Sequence, residues 1–319
     1  MALTLRDLLV QGAQMALVLA VAPLLTGIVR ALKARLVRRR GPSIFQPYRD
    51  LLRLLRKEAT LAENASWLFR VAPYLIFSAT WIAAALVPTF ATGLTFSWTA
   101  DLIAIVALLG AARFFLALAG MDVGTAFGGI GASREVMIAA LAEPALIMIV
   151  FTLALIAGST QLSTIAEFMQ SPAVGLRVSL ALALIALIMV AIAENARMPI
   201  DNPATHLELT MVHEAMVLEY SGRHLALIEL ASSLKLVVYV SLIACVFLPW
   251  GIAPAASADG ALAVGAGAYL VKLVVAAVAL AVFESSIAKL RVFRAPDFIG
   301  AALMLGLLAV LLRFVSRGF

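Results

Sequence analysis

Eight apolar runs, each close to the length of helix needed to cross a bilayer, constrain this chain more than any other feature. A hydrocarbon core of about 30 Å takes about 20 residues of helix. The runs lie near 8–29, 72–93, 102–121, 136–158, 176–193, 225–249, 265–283 and 298–315. They are rich in Leu, Ala, Ile and Val and do not alternate every second residue as a membrane barrel does. In lipid each backbone polar group must be satisfied within the segment, which helices do. The expectation is an all-α integral membrane protein, a bundle of about eight transmembrane helices. No separate soluble domain is expected. Composition agrees: 64% of the 319 residues are hydrophobic and 13% are charged, against about 25% charged in soluble domains. An ordinary cytosolic enzyme is excluded. The run after Arg6 and Asp7 is too long for a signal-peptide core and ends in no small-residue cleavage site, so it is expected to stay in place.

Charge placement orients the bundle, because loops retained on the cytoplasmic side carry Lys and Arg. The segment Arg30 to Arg70 holds 11 of the 24 basic residues. With Arg134, Arg197, Arg223, Lys289, Arg291 and Arg294, 17 fall on that side, against Arg6, Arg177, Arg313 and Arg317 on the other. Cytoplasmic loops are expected at 30–71, 122–135, 194–224 and 284–297, with both termini outward in a cell inner membrane. The three remaining connections read as simple connectors. No internal repeat stands out, which weighs against a transporter built from inverted halves.

In the first cytoplasmic loop, Ile44, Tyr48, Leu51, Leu52 and Leu55 recur at helical spacing while Arg49, Arg53, Arg56 and Lys57 occupy other faces. That is an amphipathic surface helix with Pro47 in its first turn. Binding of anionic headgroups and docking of a soluble partner both remain open for it. No nucleic-acid-binding motif accompanies these basic residues.

Ionisable residues inside the runs need partners. Arg113 sits midway along the third run, where a lone charge costs about 2.5–3.5 kcal/mol or more. Glu143, within the next run, is a candidate partner, with Glu135 two turns earlier on a similar face. Lys235, Glu229, Lys272, Glu194 and Glu284 extend the set. Each alone reads as a paired residue holding helices together; five or more in one small bundle point to a water-filled polar path. The fifth loop adds Asp201, Glu208, Glu214 and Glu219 and all three histidines. Clustered carboxylates raise one another's proton affinity and histidine titrates near neutrality, so this loop suits proton uptake. His206 and His213 lack the zinc-protease pattern and read as solvent-facing or capping residues. The glycine-rich segment before Ser133 lacks a Walker lysine and reads as a flexible turn, with Ser133 at a helix start and Glu135 in its first turn. Cys245, the sole cysteine, excludes a disulfide, a Cys-ligated iron–sulfur cluster and a thiolate zinc site within this chain.

Several motifs together carry a family resemblance: Gly41, Pro42, Gln46, Pro47, Asp50, Lys57 and Glu58; GASREVMIAALAEP from Gly131 to Pro144; Glu194, Arg197, Pro199 and Asp201 with the Glu219 to Gly222 end; and Arg291, Arg294 and Asp297. They resemble the respiratory complex I subunit 1 family, which includes the membrane subunit of energy-converting [NiFe] hydrogenases. Quinone-reducing members usually carry a P-F-D-L-P-E type sequence in the acidic loop. Here Pro203 to Met211 resembles instead the membrane subunit of formate hydrogenlyase and hydrogenase-4 complexes. The resemblance implies a subunit that anchors a peripheral redox arm and carries a carboxylate chain toward antiporter-like subunits that move H⁺ or Na⁺. It implies hydrogenase large and small subunits, or their complex I counterparts, as partners, with the [NiFe] centre and iron–sulfur clusters in those partners. By motif match, Glu135, Glu143, Glu194, Asp201, Glu208, Glu214 and Glu219 are proton-path or coupling residues. Arg113, Glu229, Lys235, Lys272 and Glu284 join them as ionisable residues of the spans. Arg49, Asp50, Lys57, Glu58, Arg134, Arg197, Arg291, Arg294 and Asp297 are docking or coupling residues. A quinone-site subunit and an autonomous transporter are the alternatives.

Overall fold

A computed structural model describes residues 5–171, 175, 177–197, 211–255, 257–287 and 294–315. The elements run α1 (Leu5–Leu36), α2 (Gln46–Leu55), α3 (Trp67–Leu86), β1 (Ala91–Thr92), α4 (Leu102–Asp122), α5 (Ala126–Ala157) and α6 (Leu162–Gln170). They continue with α7 (Val178–Glu194), α8 (His213–Val217), α9 (Gly222–Phe247), β2 (Ala253–Pro254), α10 (Asp259–Ser286) and α11 (Ala295–Val315). Seven of the described helices are long and apolar enough to cross a membrane, and α7 is a shorter apolar helix. The protein is an all-α integral membrane protein that passes the membrane several times.

Packing divides the helices into two connected groups. Helix α11 lies on α5 and α7, α4 lies on α5, while α10 lies on α1 and α9 lies on α1 and α3. The α3–α4 contact joins the groups. Small residues such as Ala22, Ala83, Ala142, Ala145, Ala183, Ala186 and Ala302 are buried at these contacts. That is how membrane helices gain close dispersion contact without a hydrophobic driving force. At 1.5 Å per residue, α5 is about 48 Å long and overruns the hydrocarbon core, whereas α7 at about 26 Å falls short of it.

Helix α2 is the expected amphipathic helix, with Pro47 in its first turn, and it packs on α1 and α9. A methyl at Gly27 of α1 would meet the Ile44 carbonyl oxygen at 2.0 Å, so only glycine admits this approach. The opposite end of the bundle closes with neutral hydrogen bonds. Gln14 donates to the Val87 carbonyl at 3.0 Å and accepts from the Thr89 N–H at 3.2 Å. Gln11 donates to the Ala85 carbonyl at 3.1 Å, and β1 pairs parallel with β2.

Two sequence expectations change here. Helix α5 starts at Ala126 with Thr125 as its cap, ten residues before the expected 136, so Ser133 caps nothing and Glu135 lies in the third turn. Gly128 and Gly131, which suggested a turn, are helical contact points. A methyl on either would meet the Gly120 carbonyl at 2.0 Å or the Val212 carbonyl at 2.8 Å. The connection after α5 is also no simple connector, because it holds α6, whose Ile165 and Ala166 are fully buried.

Candidate functional site: a buried cluster of five charges

The site grows from Arg113, at the middle of α4 with 4% of its side chain exposed. Its Nη2 meets Glu194 of α7. Its Nε lies 3.5 Å from Glu135 and its Nη1 3.7 Å from Glu143, both on α5. Lys235 of α9 reaches the other oxygen of Glu194 at 3.1 Å. Three carboxylates and two cations thus meet inside the bundle, with a formal charge of −1 if all are ionised.

The brevity of α7 builds this arrangement. The helix ends on Glu194, and Ala196 takes a left-handed conformation at φ 50° that lets the Arg197 N–H return to the Ile192 carbonyl at 3.0 Å. That fold-back satisfies a terminal carbonyl. It also leaves a fully buried carboxylate at the negative end of a helix dipole, an unfavourable place for an anion. Arg113 and Lys235 offset that cost from either side. Removing one partner of a buried ion group costs about 3–5 kcal/mol, because it strands the remaining charge.

The cluster is not a closed set of hydrogen bonds. The 3.5 and 3.7 Å separations exceed hydrogen-bond length, and a cavity of about 40 Å³ adjoins them. Thr80, Glu135, Asn195, His213, Ser232 and Lys235 are among its polar lining. That volume admits water, which needs about 10–15 Å³ and a few polar partners. Glu143 differs from the others, with 44% of its side chain exposed on the flank of the chain. Among the described residues it is the one ionisable side chain lining a larger recess of about 570 Å³ between α4 and α5. A row of titratable groups with room for water, from the buried Glu194 to the half-exposed Glu143, can hold and move protons.

Other expected residues lie elsewhere. Glu284, at the end of α10, is bridged by Lys33 of α1 at 2.8 Å and Arg197 at 3.3 Å, a second ion group beside the first. Lys272 makes its contacts apart from both ion groups. Its ammonium donates to the Leu248 carbonyl at 2.5 Å and sits 5.1 Å from the Trp250 ring, so it caps the end of α9. Glu229 is exposed, which corrects its expected burial. Glu214 and Glu219 are exposed around α8, as are Arg49, Lys57, Glu58, Arg294 and Asp297. Asp50 pairs with Arg53 at 3.1 Å, and Arg134 donates to the Met211 carbonyl at 2.8 Å. Asp201, Glu208 and Arg291 lie outside the described residues, with His206.

The bend before α9 is built by Tyr220 and Gly222. Tyr220 stacks on Phe69 at 3.9 Å and donates to its carbonyl at 3.0 Å. Burial pushes its phenol above the usual tyrosine range, and the nearby Asp122 carboxylate adds to the rise. Gly222, at φ 53°, receives the Glu58 carbonyl where a methyl would stand 2.3 Å from it. Thr80, Asn195, Ser232 and Lys33 were not singled out from sequence; their one signal is polarity in or beside an apolar span. Among the described residues no three His, Cys, Asp or Glu side chains gather in a way that could hold a metal ion.

Arginine, lysine and three carboxylates thus gather from four helices of a membrane bundle, and the known relatives of the chain say in which class of protein the bundle occurs. Residues 10–315 match the family described as NADH dehydrogenase, and the chain belongs to that family, of the complex I subunit 1 type. It is 37% identical over 272 residues to formate hydrogenlyase subunit 4 of Escherichia coli, covering 85% of this chain and 87% of that one. It is 39% identical over 243 residues to hydrogenase-4 component C of the same organism, covering 75% of each. An NADH-quinone oxidoreductase subunit of Bacteroides thetaiotaomicron is 30% identical over 211 residues, covering 62% of this chain and 56% of that one. In fold, a chain of the membrane-bound sulfane sulfur reductase, an archaeal respiratory membrane complex, superimposes with a TM-score of 0.76 at 20% identity, covering 96% of this chain and 99% of that one. The relatives make this chain a membrane subunit of the hydrogenase and complex I class.

Proposed function

We propose that this chain is the membrane anchor and ion-coupling subunit of a hydrogenase-type complex of the formate hydrogenlyase or hydrogenase-4 kind. It links a peripheral redox arm, which carries the [NiFe] centre and iron–sulfur clusters, to translocation of H⁺ or Na⁺ through antiporter-like subunits. It does so from a cell inner membrane, with both termini outward and the α2 loop facing the cytoplasmic arm. The observation that carries the reading is the Arg113, Glu135, Glu143, Glu194 and Lys235 cluster beside a polar cavity. Its uneven pairing and the adjoining room for water are what a set that takes up and releases protons needs. Protonation of one carboxylate changes the charge balance around Arg113, and that change is the signal passed outward at Glu143. The exposed Arg49, Lys57 and Glu58 on and after α2, with Arg294 just before α11 and Asp297 in its first turn, are the docking groups.

Glu143→Gln tests this reading. The complex assembles and its redox turnover persists, while ions translocated per turnover in sealed vesicles fall. Unchanged translocation with intact assembly removes Glu143 from the path. The runner-up is a subunit contributing to a quinone site, in keeping with the likeness to a subunit of NADH-quinone oxidoreductase. Quinone reduction by the purified complex, blocked by quinone-site inhibitors, would favour it.

A further inference from the structure

Tyr239 lies one turn beyond Lys235 on the same face of α9. It is 1% exposed, and its hydroxyl has no hydrogen-bond partner among the described residues. Buried phenols ordinarily find one. Within electrostatic reach of the hydroxyl are Arg113 from α4 and Glu143 and Glu135 from α5. Lys235, one turn before it on α9, is itself bridged to Glu194 of α7 at 3.1 Å. Tyr239 also lines a groove of about 410 Å³ between α7, α9 and α10, whose charged lining residues are Arg197 and Lys272. The phenol thus belongs to the lining of an otherwise apolar groove while feeling the charges of the cluster.

We infer that the unmet Tyr239 hydroxyl is a further member of the cluster, taking up a hydrogen bond with its carboxylates, directly or through water, as it passes protons among them. The inference rests on the ion-coupling reading above. Arg113 stands among the three carboxylates and cannot give up its own proton, so it holds them without relaying between them. A phenol is both donor and acceptor. Its O–H bond breaks toward one carboxylate oxygen as a new O–H bond forms from a neighbouring carboxylic acid or the Lys235 ammonium. The ring stays neutral and no electrons move. Phenylalanine fills nearly the same volume and does neither.

The test is Tyr239→Phe in the intact complex, in sealed vesicles, with ions translocated per redox turnover followed against pH and Glu194→Gln measured beside it. The expected result is normal assembly and redox turnover, a several-fold loss of translocation per turnover, and an altered pH profile. If Tyr239→Phe keeps wild-type translocation and pH profile while Glu194→Gln loses translocation, the assignment of Tyr239 is overturned and the coupling reading stands. If neither substitution changes translocation, the coupling reading itself falls, and the assignment with it. A proportional loss of turnover and translocation marks a structural residue and also overturns the assignment. Should the phenylalanine chain fail to assemble, difluorotyrosine at position 239 keeps the hydroxyl and the size but makes the phenol a stronger acid. Its pH profile is expected to move toward acid, and an unmoved profile overturns the inference.

Discussion

Buried polarity is handled differently in two regions of this molecule. Where the N-terminal half of α1 meets the chain after α3, it is neutral and local: Gln14 uses both ends of its amide on Val87 and Thr89. Lys272, although a cation, likewise serves backbone, meeting the Leu248 carbonyl at the end of α9. Those groups finish backbone that helices leave open, as lipid requires. At the level of Arg113 the polarity is charged, drawn from four helices, and loose, with 3.5 and 3.7 Å gaps beside a cavity. One region closes the fold. The other holds charges that can rearrange, and it tolerates the cost because its carboxylates and cations share one another.

That contrast is broken most severely by Arg113→Leu. It leaves the buried Glu135 without a cation and Glu194 with Lys235 alone, at about 3–5 kcal/mol, and the chain is expected to disappear from assembled complex, as read by chain level in membranes and by thermal unfolding in detergent. Gln14→Leu, in the closing region, leaves a carbonyl and an N–H unmet at about 1–3 kcal/mol. It lowers Tm but leaves translocation per turnover unchanged; a coupling defect there would erase the distinction between the regions. Tyr220→Phe costs about 0.5–1.5 kcal/mol through the bond to Phe69. Its wild-type contribution has a direction in pH. The folded chain holds the phenolic proton more tightly than the unfolded chain, so this stability is fully present below about pH 10 and declines as pH rises toward the raised value. Thermal unfolding of wild type against Tyr220→Phe over an alkaline series checks it. Glu229→Gln, on an exposed face, should stay within about 0.5 kcal/mol in stability and leave translocation alone.

The apolar runs announced the helices because lipid imposes length and backbone closure on any spanning segment. Sequence also pointed to Arg113, Glu135, Glu143 and Lys235, since a charge in an apolar run is conspicuous. It did not reveal who pairs with whom. Glu143 is nearer Arg113 along the chain, yet Glu194 meets Arg113 directly, because α7 is short and ends inside the bundle. Nor could composition separate a glycine turn from a glycine contact: Gly128 and Gly131 are small so that α4 and the chain beside α8 can approach α5. Lys272 looked like part of a polar path, and its long side chain instead turns back to the end of α9. Tyr239 gave no signal, because a tyrosine in an apolar span reads as core.

The central claim is that the five-charge cluster couples redox chemistry to ion movement, and Glu194→Gln tests it most directly. Glu194 touches both cations, and its neutral amide leaves Arg113 and Lys235 balanced by Glu135 and Glu143, so the complex is expected to assemble. Ions translocated per redox turnover should fall severalfold in sealed vesicles while turnover itself continues. An unchanged ratio in fully assembled complex would contradict the account.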